Sequence, residues 1–384
     1  MGAGLTEFRI GTFYPSSRTV HCRSTLAVQR NPDVLDAVNH VAYANAAEAA
    51  GLDYLFLGDL WGSMGPRSTE LEFGDPMVFA PITAAMLFAV TDNIKVITTL
   101  HQAWLHPLVI ARIGGNLDAL SGGRWGMNAV SGVGFNRELL EGVTAVSDHD
   151  AFYALASESM EIVQQAWRND GVVEFEGSYF RVKGRLVGPM PRQQPSPLIV
   201  AAGASKAGCE FAGRYASVAF LPGRADATLF ADRRERITAA AQRAGRPDAN
   251  IKLICHAGIL IGETQEEAEA LWADLRAAVD LRGTYEMVSS TTSTITTYQE
   301  IFEQHAEEQV RNQGITSGAR PIHGGPEEIA DAIQELREID GCDGVSLSFL
   351  FWEPQQIQLF AEKVVPLLEH RGVWSPAYKR GWPW

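Results

Sequence analysis

The sequence has few of the features that mark exported, membrane-spanning or nucleic-acid-binding proteins. Its 384 residues include only four cysteines, which lie far apart and form no Cys-x-x-Cys pair, so we expect reduced, structural thiols in a cytoplasmic protein. The longest apolar run, near residues 79–90, is shorter than the ~18 residues of a membrane span, and no export signal is visible. Acidic residues outnumber basic ones by 46 to 32, and the net charge of −14 argues against a nucleic-acid or anionic-membrane partner.

The sequence also lacks the short motifs of several common enzyme classes. It contains no HExxH, GxSxG or GxxxxGK[ST] segment, so zinc-peptidase, α/β-hydrolase and P-loop chemistry have no support. No two of its histidines have a recognised ligand spacing, and we predict no metal site.

What the sequence does contain is a regular alternation of β-strand and α-helix patterns. Eight apolar runs rich in β-branched and aromatic residues predict strands at Phe8–Tyr14, Asp53–Gly58, Ile94–Leu100, Arg124–Val130, Leu198–Ala202, Ser217–Leu221, Ile251–Ile261 and Gly344–Leu350. Helical periodicity predicts helices at Asp33–Ala50, Pro76–Val90, Pro107–Leu120, Asp148–Trp167, Lys206–Tyr215, Ala227–Ala244, Gln265–Leu281 and Glu353–Leu368. Strict alternation requires parallel strands with right-handed crossovers, and eight such units predict an α/β protein with a closed (β/α)8 TIM barrel.

The chain is longer than a minimal barrel of about 250 residues, so we expect a single barrel domain over residues 1–384 with insertions. Residues 171–197 read as a hairpin and a loop, and residues 282–323 as a lid-like insertion with a helix at Tyr298–Arg311. The tail, residues 372–384, carries three tryptophans and suits either a partner-contacting arm or packing on its own barrel.

In such a barrel the active site lies at the carboxyl ends of the strands. The residues at these positions are Tyr14, Ser16, His21, Asp59, Trp61, Thr99, His101, Trp104, Asn128, Ser131, His149, Tyr153, Gly203, Ala204, Ser205, Phe351 and Trp352. The set is rich in hydroxyl, amide and aromatic groups and poor in paired carboxylates. It therefore favours a site in which a bound cofactor supplies the chemistry.

One turn in this set suits a phosphate group. Ala201–Gly208 runs from a strand through small residues into a helix, where free main-chain N–H groups bind anions and Ser205 can cap the helix. A plain capped turn explains the same pattern. His149 and Tyr153 share a helix face at i, i+4 spacing, either as further donors to the anion or as an ordinary surface pair.

The segment Leu120-Ser-Gly-Gly-Arg-Trp-Gly-Met-Asn-Ala-Val-Ser-Gly132 resembles the bacterial luciferase-like, flavin-dependent monooxygenases, in which a similar segment enters and ends the fourth strand. Ala47–Gly51, Pro107–Arg112, Asp148–Tyr153 and the turn at Gly203 follow in family order. The similarity covers nearly the whole barrel, and the branch of pyrimidine-ring oxygenases and alkanesulfonate monooxygenases is nearest.

The resemblance implies reduced FMN supplied by a separate flavin reductase, O2 as co-substrate, and a small organic substrate. A nitrogen heterocycle such as a pyrimidine- or flavin-like ring is favoured, and the family is typically homodimeric or homotetrameric. By position, Thr99 and Asn128 are the implied catalytic residues beside the flavin ring. The implied FMN-binding residues are Asp59, Thr99, Asn128, Ser131, His149, Tyr153, Gly203, Ala204 and Ser205.

The substrate contacts are less well defined, because the loops after strands 1 and 4 depart from the family pattern. Our candidates are Tyr14, Arg18, His21, His101, Trp104, Phe135 and Trp352. Arg18 could equally be a solvated charge and Trp352 plain packing. Two other functions suit the same fold: a deazaflavin-dependent oxidoreductase and a non-catalytic flavin-binding protein.

Overall fold

The computed structural model describes residues 8–132, 146, 148–203, 205–221, 226–291, 307–338 and 341–382. The strands in these residues are β1 (Arg9–Tyr14), β2 (Tyr54–Leu57), β3 (Lys95–His101), β4 (Trp125–Val130), β5 (Val172–Glu176), β6 (Arg181–Arg185), β7 (Leu198–Ala201), β8 (Val218–Leu221), β9 (Lys252–Ile261), β10 (Arg320–Gly324) and β11 (Gly344–Phe349). The helices are α1 (Thr25–Arg30), α2 (Ala37–Ala49), α3 (Pro66–Glu70), α4 (Ala80–Val90), α5 (Pro107–Ser121), α6 (His149–Arg168), α7 (Lys206–Tyr215), α8 (Ala227–Arg243), α9 (Gln265–Ala277), α10 (Leu281–Thr291), α11 (Glu307–Thr316), α12 (Pro326–Glu338), α13 (Pro354–Leu359), α14 (Val365–His370) and α15 (Ala377–Arg380).

The main sheet is a closed barrel of parallel strands. It has nine strands in the order β10-β9-β11-β1-β2-β3-β4-β7-β8, and a pairing between β8 and β9 closes the circle. Because β10 pairs only with the second half of β9, eight strands form the barrel itself. The predicted α/β fold with an eight-stranded TIM barrel is therefore confirmed.

Alternate residues of each barrel strand face the interior and the surrounding helices. Phe13 of β1 faces inwards and stacks on Phe56 of β2 with 5.2 Å between ring centroids, and Phe56 stacks on Phe220 of β8 at 4.7 Å. Trp125 of β4 faces outwards, where its indole Nε1 donates to Thr98 Oγ1 of β3 at 2.9 Å. Aromatic rings thus close the middle of the barrel and leave polar groups at its ends.

Several predicted helix limits are wrong by a few residues. The helix predicted from Asp33 begins at Ala37, because the Asp36 side chain accepts from Val38 N and caps it. The helix predicted from Pro76 begins at Ala80, with Pro81 in its first turn. The helix predicted over Gln265–Leu281 ends at Ala277, and a separate helix, α10, begins at Leu281.

The predicted C-terminal helix Glu353–Leu368 is divided by a π-helical turn at Phe360–Val364. Pro366 follows directly in α14 and has no N–H to continue the α-helical ladder. A π-turn before a proline relieves this conflict without ending the helix.

Sequence reasoning missed strand β10 and helix α12, which precede the last barrel strand. β10 is short and buries little beyond Ile322, so its pattern does not stand out. α12 had a clear signal, because Pro326 at its start is followed by Glu327 and Glu328, which suit the positive end of the helix dipole.

Parts of the regions predicted as insertions are described by the structure. β5 and β6 form an antiparallel hairpin. In the segment 282–323, Glu286 of α10 accepts hydrogen bonds from the main-chain N–H groups of Arg67 (3.1 Å) and Ser68 (2.9 Å) in α3, so α10 packs on the loop after β2. Residues 292–306, including most of the helix predicted at Tyr298–Arg311, lie outside the described residues.

The tail packs on the chain's own barrel, at the amino ends of the strands. Trp374 is buried, and its indole Nε1 donates to Asp53 Oδ2 at 3.1 Å. Arg380 forms an ion pair with the same carboxylate, which also accepts from Ile10 N at 2.9 Å.

Elsewhere, the four cysteines are buried and free. None of the helices in the described ranges is long and apolar enough to cross a bilayer.

Candidate functional site

Thr99 and Asn128 lie side by side inside the carboxyl end of the barrel. They are paired in register on β3 and β4, and Asn128 Nδ2 donates to Thr99 Oγ1 at 3.0 Å. They face inwards because their neighbours Thr98 and Trp125 face the helices. Since Thr99 accepts this bond, its own proton can be donated elsewhere, whereas the buried Asn128 Oδ1 has no hydrogen-bond partner among the residues that the structure describes. The pair therefore offers a ligand one donor and one acceptor.

Gly203, Tyr153 and Ser205 converge where β7 leads into α7. A Cβ atom on Gly203 would lie 2.2 Å from the Tyr153 hydroxyl oxygen and 2.8 Å from Gly208 Cα, so only glycine allows this approach. Ser205 Oγ accepts from Gly208 N at 3.1 Å and caps α7. Val200 of β7 pairs with Asn128 in register, which places this turn next to the Thr99–Asn128 pair.

Of the remaining predicted cofactor positions, the structure places His149 beside Tyr153. The His149 ring lies 5.1 Å from the Tyr153 ring, is largely exposed, and contacts Asp150 Oδ1 through Nδ1 at 2.9 Å. Ser131 is buried directly after β4. Ala204 lies outside the described residues, as does Phe135 among the substrate candidates.

A buried aromatic cluster with two ionisable groups lies at the ends of β2 and β3. Asp59 Oδ2 accepts from Trp61 Nε1 at 3.1 Å and lies 4.0 Å from His101 Nε2. The His101 ring stacks on Trp104 at 4.1 Å, and Trp61 lies 5.6 Å from Trp104. Burial raises the pKa of Asp59 to about 7 and lowers the pKa of His101 to about 4. Asp59, which was predicted to bind FMN, thus lies together with His101 and Trp104, which were predicted to contact the substrate, at one wall of the barrel mouth.

A small cavity lies between the ends of β1 and β11. It is lined by the substrate candidates Arg18, His21 and Trp352. The Arg18 guanidinium forms ion pairs with Glu72 (2.7 Å) and Asp33 (3.6 Å). Trp352 Nε1 donates to the Arg18 carbonyl oxygen at 2.9 Å, so both side chains already have partners. Burial and the neighbouring His256 hold the pKa of His21 well below its usual value.

The expectation for Tyr14 is wrong. Tyr14 is fully buried and faces the helices, where its hydroxyl hydrogen-bonds His40 Nδ1 of α2 at 2.6 Å. The reason is the two-residue period of β1, since Phe13 takes the inward position next to it. Tyr14 therefore cannot contact a ligand in the barrel.

Sequence reasoning did not single out His256 as a site residue. It faces the barrel interior from β9, its Nε2 hydrogen-bonds Ser348 Oγ at 2.9 Å, and its ring lies 4.4 Å from His21. Burial lowers the pKa of His256 to about 3, so this histidine is neutral. The available signal was its even spacing from Ile254 within an otherwise apolar strand.

A parallel β/α barrel whose carboxyl end carries neutral hydrogen-bond donors and acceptors is typical of proteins in which a bound cofactor supplies the chemistry. No group of three or more His, Cys, Asp or Glu side chains in the described residues could hold a metal ion. The model of the luciferase-like monooxygenases matches residues 17–341, and the chain belongs to this family of flavin-dependent oxidoreductases.

Individual relatives are similar over nearly their full length. The pyrimidine monooxygenase RutA of Klebsiella pneumoniae (strain 342) is 28% identical over 377 residues, covering 96% of this chain and 98% of that protein. The RutA of Cronobacter sakazakii (strain ATCC BAA-894) is 29% identical, covering 79% and 87%. The crystal structure of riboflavin lyase (RcaE) with modified FMN and substrate riboflavin superposes with a TM-score of 0.82 and 28% identity, covering 96% and 93%.

Proposed function

We propose that this protein is a two-component monooxygenase that uses reduced FMN, supplied by a separate flavin reductase, and O2 to oxygenate a small nitrogen heterocycle. The observation that carries the proposal is the Thr99–Asn128 pair inside the largely buried end of the barrel. Thr99 is a neutral donor, and Asn128 Oδ1 is an acceptor without a hydrogen-bond partner among the described residues. Reduced flavin presents a complementary N–H group, so the pair fits the ring of this cofactor.

The turn after β7 suits the FMN phosphate. The N–H groups at the start of α7, the Tyr153 hydroxyl and the close approach allowed by Gly203 would hold the phosphate. His149 would contribute a further donor from the start of α6. Neutral hydrogen-bond donors and a helix N-terminus bind a phosphate dianion without a metal or a P-loop.

When bound, the reduced flavin would supply the electrons that activate O2. The protein's contribution is to position and to exclude water. Thr99 donates and Asn128 accepts at fixed positions, and these neutral groups orient a ligand without protonating it. Below them, the stacked rings of Phe13, Phe56 and Phe220 close the barrel interior, which keeps water away from the reacting atoms.

Two observations support a nitrogen heterocycle as the substrate. RutA carries the name pyrimidine monooxygenase, and the RcaE structure contains riboflavin as substrate, so both of these similar proteins act on such rings. In this chain, Trp61 and Trp104 form an aromatic wall at the mouth of the barrel, which suits a flat ring.

We further propose a homodimer or homotetramer. The described surface exposes Leu35 and Val38 at the start of α2 and Ile82 in the neighbouring α4, each about 70% exposed. Exposed apolar side chains on two adjacent helices suit an interface with a second copy.

The test combines the protein with FMN, a flavin reductase, NADH and a panel of nitrogen heterocycles under 18O2. We expect one 18O atom in the product of at least one heterocycle and no product without reduced FMN. Peroxide release without any product across the panel would contradict the proposal and favour a flavin-binding protein. Turnover with reduced deazaflavin in the absence of O2 would instead favour the hydride-transfer alternative.

A further inference from the structure

Asp59 and His101 are two buried ionisable side chains that the Thr99–Asn128 pair does not explain. β2 and β3 are adjacent, with Leu57 paired to Thr98, so residues just beyond their ends lie close together. Asp59 is 7% and His101 is 1% exposed, and their Oδ2 and Nε2 atoms are 4.0 Å apart. Aspartate and histidine are rarely buried to this degree without a purpose, because each has to be stripped of water.

The hydrogen bonding of this pair is incomplete. Asp59 Oδ2 is held by Trp61 Nε1, but in the described part of the chain neither ring nitrogen of His101 makes a hydrogen bond of good geometry, and the imidazole has only a weak interaction with the Asp59 main chain. The imidazole instead lies nearly parallel to the Trp104 indole, 4.1 Å from it. A neutral imidazole always carries one N–H donor and one acceptor, and leaving them buried and unpaired is unfavourable. A ligand that pairs with these atoms would remove this cost.

The pair also has an unusual charge state. Burial raises the pKa of Asp59 to about 7 against the hydrogen bonds from Trp61 and Leu60 N, and it lowers the pKa of His101 to about 4. The side chains that reach the cluster from α4, α6 and the hairpin are Phe79, Phe152, Leu155 and Phe180, none of them charged. His106 contacts Phe180 of this cluster, with 5.7 Å between ring centroids. Below about pH 7, a neutral carboxylic acid therefore faces a neutral imidazole, and above that pH the carboxyl group is mostly ionised.

The pair lies between the barrel mouth and the Thr99–Asn128 pair. Thr99 and His101 are two residues apart on β3 and share its inward face, which separates them by about 6.5–7 Å along the strand. The Asp59–His101 pair therefore lies on the mouth side of Thr99 and Asn128.

We propose that Asp59 and His101 together bind the polar edge of a flat lactam or imide ring, with the Asp59 carboxylic acid donating to the ring carbonyl and His101 accepting from the adjacent ring N–H. Trp61 and Trp104 contribute the apolar wall. A carboxylic acid next to an imidazole is complementary to a –CO–NH– edge, whereas an ester, an ether or an alkane offers no such pair. This inference rests on the proposed function and specifies its substrate class.

The proposal predicts a pH-dependent affinity, because only the protonated form of Asp59 donates. The apparent Kd rises in proportion to the loss of that form, by about tenfold from pH 6 to pH 8. The Asp59→Asn variant keeps an N–H donor of the same shape but cannot titrate, so its affinity is expected to be constant over this range.

The experiment measures binding of 2-quinolinone, a flat lactam that does not ionise between pH 6 and 8, to the FMN-loaded protein by calorimetry. N-methyl-2-quinolinone, which lacks the N–H donor, is expected to bind at least tenfold more weakly to wild type, and this difference is expected to vanish in His101→Phe. Asp170→Asn, at an exposed hairpin carboxylate, is the matched control and should behave as wild type. Thermal unfolding of each variant shows that the fold is retained.

Three results would overturn the inference: no saturable lactam binding, equal affinity for the two quinolinones, or the same pH dependence in wild type and Asp59→Asn. Failure of the proposed function is a separate result, because it appears as absent FMN binding or absent 18O incorporation. A protein that oxygenates a heterocycle with reduced FMN but shows no lactam selectivity would keep the function and reject the role of this pair.

Discussion

The Gly203 turn allows a sharp test of where the cofactor phosphate binds. In Gly203→Ala, the new Cβ would lie 2.2 Å from the Tyr153 hydroxyl oxygen and 2.8 Å from Gly208 Cα. Both contacts are far shorter than van der Waals distance, so either Tyr153 rotates away or the turn shifts from the start of α7. Overpacking of this kind costs about 1–3 kcal/mol. If that cost falls on the bound state, the Kd for FMN rises by about 5- to 150-fold.

The assay is the quenching of flavin fluorescence on titration with protein, together with riboflavin, which has the same ring but no phosphate. We expect Gly203→Ala to weaken FMN and to leave riboflavin nearly unchanged. Tyr153→Phe removes the hydroxyl that the Cβ would meet, so the double variant Gly203→Ala/Tyr153→Phe should lose less affinity than the two single losses combined. Equal FMN affinity of Gly203→Ala and wild type would refute this placement of the phosphate.

Three further predictions concern the barrel interior and the tail. Thr99→Val should cut the yield of oxygenated product about a hundredfold and release peroxide instead. The control Thr98→Val, on the opposite face of β3, should keep the yield and lose about 1–3 kcal/mol of unfolding free energy, because the Trp125 N–H loses its acceptor. Equal yields from the two variants would contradict the role of Thr99. Asp53→Ala should lower the free energy of unfolding in urea by about 3–5 kcal/mol, because it leaves the largely buried Arg380 without its carboxylate. A loss below 1 kcal/mol would show that the contact between Asp53 and the tail is unimportant for stability. Burial lowers the pKa of His256 to about 3, so between pH 6.5 and 5 this side chain takes up a proton in the unfolded chain but not in the folded one. The free energy of unfolding of wild type relative to His256→Asn should therefore fall by about 2 kcal/mol as the pH drops from 6.5 to 5. A pH-independent difference would mean that His256 is not buried and neutral.

The barrel was predictable because its signals are local and repeated. Each strand, such as Ile94–Leu100, has enough apolar residues to be recognised alone, and alternation with helices then fixes the topology. β10 escaped because its residues, Arg-Pro-Ile-His-Gly, bury little and pair with only half of one strand. Local patterns cannot show a strand whose stability comes from a distant partner.

The site was predictable only to the level of strand ends. The position of Thr99 one residue after the outward-facing Thr98 follows from the period of the strand, and the same reasoning would have placed Tyr14 outside the barrel. The proximity of Asp59 and His101 could not be predicted from the sequence. It depends on burial and on a 4.0 Å distance between two side chains that are 42 residues apart in the chain. Motifs locate a mouth, but tertiary packing sets the charge states within it.

The anchoring of the tail has a consequence for how this chain matures during synthesis. Asp53 directly precedes β2, and its cationic partner Arg380 follows 327 residues later. While translation proceeds, Asp53 therefore lacks this partner, although Arg9 already pairs with its carboxylate. The contacts at this rim are therefore completed only once the segment with Trp374 and Arg380 is available to pack, well after the first strands have been made.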